Sequence, residues 1–173
     1  MTAQYSLFSD LNVSHETYNA LKAYEWLLEK WTVRINLISK STRDDVWTRH
    51  ICDSAQIMTL ASKRASHWID IGSGGGLPGL VVAVLAQEFN PQLHVTLIES
   101  DQRKAVFLRT VVRELHLRAT VYAKRIEAVG PLKADVISAR ALADLSFLLS
   151  VSYPLMRKNT QCLFMKGKNW LNE

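Results

Sequence analysis

The chain reads HWIDIGSGGGLPGLVV from His67 to Val82. The apolar run at its start, residues 68–71, predicts a buried strand, because β-branched and aromatic residues suit a strand covered on both faces. A glycine cluster ends this strand. An apolar helical pattern begins near Leu77 with Pro78 in the first turn, where a missing N–H removes no helical bond. Five glycines within eight residues let a ligand approach the backbone, and a helix start offers unpaired N–H groups. The stretch therefore predicts a pocket for a polar ligand.

The spacing of the glycines distinguishes two classes of nucleotide ligand. Counted from the strand, the pattern is Asp70-x-Gly72-x-Gly74-x-Gly76, the acidic-x-G-x-G-x-G form of S-adenosylmethionine (SAM) enzymes. The dinucleotide pattern G-x-G-x-x-G fits only from Gly74 to Gly79, where it starts late and includes a proline that lacks an N–H. The spacing favours SAM. A dinucleotide such as NAD is the alternative, and a glycine-rich loop without a ligand is the least favoured interpretation.

Composition excludes several classes of protein. The chain has 173 residues, of which 48% are hydrophobic, and this is enough for one domain with a proper core. No apolar run reaches the roughly 18 residues that a membrane-spanning helix needs, and Met1–Asp10 lacks the layout of a signal peptide. Two cysteines make no disulfide scaffold, and the histidines show no ligand spacing, so we expect a cytoplasmic protein without a metal site. The net charge of +5 allows a polyanionic partner such as nucleic acid.

Helix and strand patterns divide the chain at residue 62. Residues 1–62 form an N-terminal helical element, with one helix over about Ser14–Ile38 and a second that begins at a cap on Ser41 or Thr42. Residues 63–173 form the main domain. Strands are predicted at about 67–72, 93–98, 119–123, 134–138 and 160–165, and helices between them at about 77–89, 101–116 and 142–153. This alternation predicts an α/β fold of the Rossmann-like class I SAM-dependent methyltransferase type, a mostly parallel sheet with helices on both faces.

The chain ends soon after the fifth predicted strand. A methyltransferase sheet of this type usually continues with two more strands. The sequence leaves two alternatives open: either C-terminal strands are missing, or the edge of the sheet is covered in another way.

Three polar positions follow the ends of predicted strands, where ligands bind in this architecture. Glu99 ends the second strand and is expected to accept hydrogen bonds from ribose hydroxyls, although it could instead begin the next helix. Residues 124–127 follow the third strand and form either an adenine-contacting loop or a surface turn. Arg140 ends the fourth strand beside the expected substrate entrance. Its guanidinium suits phosphate or the O6 and N7 atoms of guanine, and the alternative is an ion pair with a neighbouring helix.

Two motifs of nucleic-acid methylation are absent from the sequence. No Asn/Asp-Pro-Pro-aromatic motif, which grips an exocyclic amino group, follows the fourth strand. No Pro-Cys or Thr-Cys pair is placed for covalent attack at carbon 5 of a pyrimidine. Cys162 falls within the fifth strand pattern and is interpreted as a core residue.

The motifs taken together are similar to those of one family. The chain resembles the bacterial small-subunit ribosomal RNA guanine-N7 methyltransferases (RsmG, formerly glucose-inhibited division protein B). The resemblance covers nearly the whole chain and rests on these segments in this order: Asn36-Leu37, Arg49-His-Ile-Cys-Asp53-Ser54, the Asp70–Gly79 loop, Ile126-Glu127, Ser138-Ala-Arg-Ala141 and Lys166-Gly167.

The resemblance implies SAM as methyl donor and a guanosine in the decoding region of 16S rRNA as target. By motif position it assigns Gly72, Leu77, Ile126, Glu127 and Arg140 to the donor. With the residues expected from the glycine and strand patterns, the predicted donor site comprises Gly72, Gly74, Gly76, Leu77, Glu99, Ile126, Glu127 and Arg140. Arg140 is also the one candidate catalytic residue.

The expected chemistry needs no general base, because N7 of guanine carries a free lone pair and no proton. Alignment of the nucleophile with the methyl group is then the main task of the site. Arg49, His50 and Asp53 are candidates for shaping the substrate side, with an internal hydrogen-bonded cluster as the alternative. Lys166 and Lys168 are candidates for holding RNA phosphates.

The expected partner is the small ribosomal subunit, bound by a monomer. Two other functions stay open from the sequence: an NAD-dependent oxidoreductase, and a non-catalytic RNA-binding ribosome-assembly factor.

Overall fold

The computed structural model describes residues 12–166, and its centre is a five-stranded sheet. The strands are β1 (His67–Ile71), β2 (His94–Ile98), β3 (Ala119–Tyr122), β4 (Ala134–Arg140) and β5 (Met156–Met165). They lie in the order β3-β2-β1-β4-β5, and every neighbouring pair is parallel. The carboxyl ends of all strands therefore meet at one edge. The strand order reverses between β1 and β4, and a ligand crevice forms at such a reversal.

Helices cover both faces of the sheet, as predicted. They are α1 (His15–Thr32), α2 (Asp53–Leu60), α3 (Gly79–Phe89), α4 (Gln102–Glu114) and α5 (Leu145–Ser152). Successive strand residues point to opposite faces. Trp68 of β1 accordingly lies in one hydrophobic cluster with buried residues of α1, α3 and α4, and Ile69 lies in a second cluster with buried residues of α5. The expected Rossmann-like α/β fold is confirmed.

The first helix is capped as the sequence indicates but ends earlier. Ser14 is the N-cap, and its side chain accepts a hydrogen bond from the backbone N–H of Thr17 at 3.1 Å. The helix ends at Thr32 and not near Ile38. The Thr32 hydroxyl donates to the carbonyl of Leu28, and the N–H groups of residues 34 and 35 both turn back to the carbonyl of Trp31. The apolar pattern continues to Ile38 because these residues pack on the core without being helical.

In the structure, three consecutive helical segments take the place of the second predicted helix. A 3-10 helix spans Lys40–Asp45, a π-helical turn spans Trp47–Cys52, and α2 follows. The predicted cap on Ser41 or Thr42 is wrong, because Ser39 holds the capping position. The hydroxyl of Ser39 is 2.9 Å from the hydroxyl of Thr42, and the backbone N–H of Thr42 donates to the carbonyl of Ser39. Such local hydrogen bonds compete with the α-helical pattern. Buried residues between 12 and 62 lie in the same hydrophobic cluster as Trp68 and the buried residues of α3. The division at residue 62 stays a prediction.

The last strand begins four residues before its predicted start. The register between β4 and β5 shifts between Ala134 and Val136. At this irregularity the Thr160 hydroxyl accepts from the N–H of Arg157 and donates to the carbonyl of Ala134, at 2.7 and 2.6 Å. The polar bridge extends the pairing back to Met156. In the part of the chain that the structure describes, no helix has both the length and the apolar character to cross a membrane.

Candidate active site

The glycine loop follows β1 as a tight turn. Gly72, Gly74 and Gly76 have φ angles of +65°, +54° and +88°. This left-handed region is costly for residues that carry a Cβ atom. The side chain of Ser73 is buried, and its hydroxyl donates to the carbonyl of Asp70 at 2.9 Å. The alternating glycines are therefore a requirement of the backbone conformation of the loop.

The glycines differ in what surrounds them. A Cβ atom on Gly76 would lie 2.2 Å from a methyl carbon of Leu80. One on Gly79 would lie 2.4 Å from Leu97 and 2.7 Å from Asp70. Gly79 allows α3 to pack closely against the sheet, and Gly76 allows the loop to pack against Leu80 of α3. Neither glycine lines the cleft. Gly74 differs, because a Cβ atom there would meet only the carbonyl oxygen of Gly72, at 3.8 Å.

The helix α3 begins two residues later than predicted. Pro78 occupies the capping position and the helix begins at Gly79, whereas the sequence pattern placed the proline in the first turn.

Glu99 connects the glycine loop to the end of β2. It is 8% exposed. One carboxylate oxygen accepts from the N–H of Gly74 and the other from the N–H of Asp101, both at 2.8 Å. Each carboxylate oxygen has two lone-pair sites, so acceptor capacity remains for a ligand hydroxyl. The structure thus places a buried acceptor directly beside the predicted donor loop.

A cleft of about 520 Å³ opens at the carboxyl ends of the strands. Of the predicted donor residues, Gly76 alone lies outside its lining. The lining includes Gly72, Gly74, Leu77, Glu99, Ile126, Glu127 and Arg140 from that set and His50 from the predicted substrate side. Segments that are far apart in the sequence are thereby brought to one cavity. The assignment of these residues to a donor stays a prediction.

Arg140 joins the end of β4 to the N-terminal helices. One terminal nitrogen, Nη2, donates to the carbonyl of Arg49 at 2.6 Å, and Nη1 donates to the hydroxyl of Ser54 at 3.3 Å. Nη2 also lies 3.9 Å from a carboxylate oxygen of Asp53. The guanidinium therefore lines the cleft and binds the π-helical turn at the same time. The ion pair with a neighbouring helix, one of the two interpretations from the sequence, is present, and the role of Arg140 as a site residue stays a prediction.

His50 is a buried, neutral side chain on the wall of the cleft. Burial, reinforced by the charge of Arg140, lowers its pKa to about 4. Its Nε2 atom is 2.8 Å from the hydroxyl of Thr42. Nδ1 has no hydrogen-bond partner among residues 12–166. Of the three residues predicted for the substrate side, His50 bonds to Thr42 and Asp53 lies beside Arg140, whereas the guanidinium of Arg49 is exposed and pairs with Asp45. Their assignment to the substrate side stays a prediction.

One of the two lysines predicted to hold phosphates lies within the described residues. Lys166 donates from its ammonium group to the carbonyl of Ala143 at 2.6 Å and so supports the segment that follows β4. Lys168 lies outside the described residues. Within residues 12–166, no cluster of three His, Cys, Asp or Glu side chains is arranged to hold a metal ion.

A buried polar relay lies beneath the glycine loop, and the sequence pattern gives no sign of it. The hydroxyl of Ser138 donates to Asp70 at 2.6 Å and accepts from the indole N–H of Trp68 at 2.8 Å. Asp70 and Ser138 are adjacent across the β1–β4 pair. The relay fixes the end of β1, from which the loop departs, to the strand that carries Arg140.

Asp70 is expected to make stability depend on pH. Burial raises its pKa from 3.8 to about 6, although the hydrogen bond from Ser138 opposes the shift. The folded protein then binds this proton more tightly than the unfolded chain. The protonated Asp70 carboxyl group makes its full contribution to the unfolding free energy below about pH 4. As the pH rises through 6 this contribution is lost, and the unfolding free energy falls by roughly 3 kcal/mol.

Urea denaturation of wild type and of Asp70→Asn between pH 4 and pH 7 measures this effect. Titrations of other groups are common to both proteins and cancel in the difference. A difference in unfolding free energy that is independent of pH contradicts the prediction.

Tyr24 of α1 supports the loop from behind and was also missed. Its hydroxyl donates to the carbonyl of Gly75 at 2.6 Å, and its side chain is fully buried. A Cβ atom on Gly75 would lie 3.1 Å from Leu28 and 3.2 Å from the carbonyl oxygen of Leu37. The helical stripe that contains Tyr24 was predicted to be core. Its spacing gives no sign that one hydroxyl bonds to a loop 51 residues away.

Tyr24→Phe is expected to lower the unfolding free energy by about 1–3 kcal/mol, because the buried Gly75 carbonyl loses its donor. Urea denaturation measures the change. Tyr18→Phe is the matched control, since Tyr18 lies on the same helix with a ring that is 42% exposed. Equal stabilities of the two variants would show that the hydroxyl of Tyr24 contributes nothing.

Comparison with known proteins gives the family. The family model described as "GidB: rRNA small subunit methyltransferase G" matches residues 17–173. The chain belongs to this family. A ribosomal RNA small subunit methyltransferase G of Cereibacter sphaeroides is 49% identical over 170 residues, which cover 98% of this chain and 82% of that relative. The corresponding protein of a Jannaschia species is 51% identical over 161 residues, 93% of this chain and 76% of that relative.

Solved structures resemble the GidB-family chain in fold alone. A putative O-methyltransferase from Klebsiella pneumoniae superposes with a TM-score of 0.61 at 16% identity, covering 93% of this chain and 70% of that one. A SAM-dependent methyltransferase from Geobacter sulfurreducens, crystallised with S-adenosyl-L-homocysteine (SAH), gives a TM-score of 0.54 at 16% identity, with coverage of 81% and 53%. The GidB-family chain thus shares the overall fold of these two structures.

Proposed function

We propose that this chain transfers a methyl group from SAM to N7 of a guanosine in small-subunit ribosomal RNA. Membership of the family supports methylation of the RNA of the small subunit. The observation that carries the proposal is the cleft itself, whose lining brings the glycine loop and Glu99 together with Arg140 and His50.

The residues of the cleft fit the donor. Gly74 leaves open space where any larger residue would put a side chain. Glu99 has acceptor capacity for ribose hydroxyls, and Ile126 offers an apolar surface to a purine ring, with Glu127 beside it on the same wall. When bound, SAM supplies an electrophilic methyl group on a sulfonium ion.

The chain has to orient the acceptor and exclude water, and it does not have to remove a proton. N7 of guanine has an available lone pair, so no general base is required. The side chains of the cleft agree with this requirement. His50 is neutral and bonded to Thr42, and both oxygens of Glu99 accept from backbone N–H groups. Among the described residues, no carboxylate is hydrogen-bonded to a histidine in the cleft. Holding the N7 atom in line with the methyl group is then the main contribution of the protein.

The dinucleotide alternative finds no support in the loop. In that pattern the second glycine lets the pyrophosphate approach the backbone, but Gly76, which holds this position, packs against Leu80 and lies outside the lining of the cleft. The small subunit as the particle that is bound, the monomeric state and the cytoplasmic location stay predictions.

Incubation of the protein with labelled SAM and small subunits from a strain that lacks the enzyme tests the proposal. We expect one labelled guanosine, mapped by strand cleavage at the chemically labile N7-methylated base. Label on an exocyclic or ribose atom would refute the assignment to N7. Binding of the subunit without binding of SAM would indicate an assembly factor, and stabilisation of the protein by NADH with none by SAH would indicate an oxidoreductase.

A further inference from the structure

An exposed aromatic ring lies on the wall of the cleft that the donor site does not use. Phe147 is in the first turn of α5, lines the cavity and is 41% exposed. Its backbone is fixed, because its N–H donates to the side chain of the capping residue Asp144 at 2.8 Å. Within residues 12–166 its ring has no aromatic or cationic partner. A well-anchored but uncovered phenylalanine at the mouth of a binding site is a candidate contact for a ligand.

The sheet order places Phe147 on the acceptor side. Apart from Arg140 at the end of β4, the predicted donor residues follow β1, β2 and β3, which are neighbours in the sheet. The segment after β4 forms the opposite wall, with Ala141, Leu142 and Phe147. A ligand that reaches the donor site from the side of β4 therefore passes along this wall.

The backbone after β4 is shaped to form that wall. Ala141 has a φ of +48°, which is rare for a residue with a Cβ atom and is found where surrounding structure imposes it. The turn directs Leu142 onto the glycine loop, so that its methyl carbons lie 2.5 and 2.8 Å from where a Cβ on Gly72 would be. Lys166 holds the next residue, Ala143, by its carbonyl. The chain is thus anchored on both sides of the turn just before it reaches Phe147.

We propose that the ring of Phe147 stacks on the purine that is presented for methylation. The inference rests on the proposed function and names a stacking residue for it. In an A-form RNA helix the N7 edge of guanine faces a deep, narrow groove that side chains cannot enter, so the base has to be presented outside its stack, where it loses the contacts with its neighbours. Aromatic side chains replace such contacts without reading sequence, because every base has a π face.

The charge change of the reaction adds a second reason for an aromatic ring. The N7 lone pair forms the bond to the methyl carbon while the carbon–sulfur bond breaks, and the electrons of that bond stay on sulfur. The positive charge therefore passes from the sulfonium to the purine, and no proton moves. The negative face of an aromatic ring attracts a cation. Stacking on Phe147 then stabilises the transition state and the product more than the neutral substrate.

Steady-state methylation of small subunits tests the proposal with three variants. Phe147→Ala is expected to lower kcat/KM on the order of 10- to 100-fold, with part of the loss in kcat because charge develops in the transition state. Phe147→Trp keeps a π face and should retain most of the activity. Phe147→Leu keeps an apolar side chain without a π face, and its kcat/KM should be as low as that of Phe147→Ala. Phe89→Ala is the matched control and should leave kcat/KM unchanged. Phe89 is also 41% exposed, but it is the last residue of α3 and lies outside the lining of this cleft.

Two binding measurements separate stacking from other roles. Calorimetry should give unchanged SAH affinity for all variants. Tryptophan fluorescence of Phe147→Trp, with SAH bound, should be quenched by 7-methylguanosine monophosphate beyond the quenching seen in wild type, and that of Phe89→Trp should not.

Wild-type kcat/KM in Phe147→Ala, or wild-type activity in Phe147→Leu, would overturn the stacking role. Loss of SAH affinity would overturn it too, by assigning Phe147 to the donor. If the wild-type protein transfers no methyl group to small subunits, the proposed function fails. The fluorescence experiment still reports whether this ring contacts a purine.

Discussion

A leucine at position 74 is expected to abolish SAH binding in a protein that still folds. Gly74 lines the cleft, and a side chain there would meet little of the protein, so it would extend into the space assigned to the donor. The positive φ of this residue imposes a cost of about 1–2 kcal/mol on any residue with a Cβ atom. We expect SAH affinity to fall at least about 100-fold. This loss corresponds to roughly 2.7 kcal/mol, which is more than the backbone cost even at its upper limit.

Calorimetric titration with SAH and urea denaturation measure the two quantities on the same variant. Gly130→Leu is the control. Gly130 has open space where a side chain would project, no positive φ, and a position outside the cleft, so its replacement should leave SAH affinity unchanged. Wild-type affinity in Gly74→Leu would remove the glycine loop from the donor site.

Removal of the guanidinium of Arg140 is expected to lower methyl transfer on the order of 10- to 100-fold. Arg140→Ala deletes the donors to the carbonyl of Arg49 and the hydroxyl of Ser54 and the ion pair with Asp53. The π-helical turn that carries His50 then loses its attachment to β4. We expect the unfolding free energy to fall by about 1.5–3 kcal/mol, the range for hydrogen bonds of charged groups.

Arg140→Lys separates charge from geometry. A lysine keeps the positive charge but lacks the planar fork that reaches two acceptors at once, so its activity should stay well below that of wild type. Arg109→Ala, at an exposed position of α4, is the control for the loss of one positive charge. Methyl transfer at the wild-type rate in Arg140→Ala would remove Arg140 from the site.

The glycine loop was predictable because its determinants are local. A strand, three glycines at alternate positions and a proline near the helix start specify the turn from within ten residues. The same holds for the end of β2, since Glu99 directly follows a short apolar run that ends at Ile98. The end of β4 lies at Arg140, two residues beyond its predicted end. The parallel sheet could be predicted because strand and helix patterns alternate from His67 onward.

The features that the sequence pattern does not reveal depend on distant partners. Asp70 and Ser138 meet through the pairing of β1 and β4, and Tyr24 reaches Gly75 through the packing of α1. The π-helical turn interrupts a pattern that is helical by residue type, where Arg140 bonds to the carbonyl of Arg49. No periodicity within a segment encodes such contacts.

The hydrogen bond from Tyr24 bears on how this protein can be dissected. A fragment that starts at residue 63 would contain every strand yet would lack the donor for the Gly75 carbonyl and the leucine methyl group that packs against Gly75. We therefore expect the shortest chain that retains SAH affinity to include α1. Truncation experiments that aim at a minimal nucleoside-binding unit should accordingly remove residues before Ser14 and keep the helix that follows.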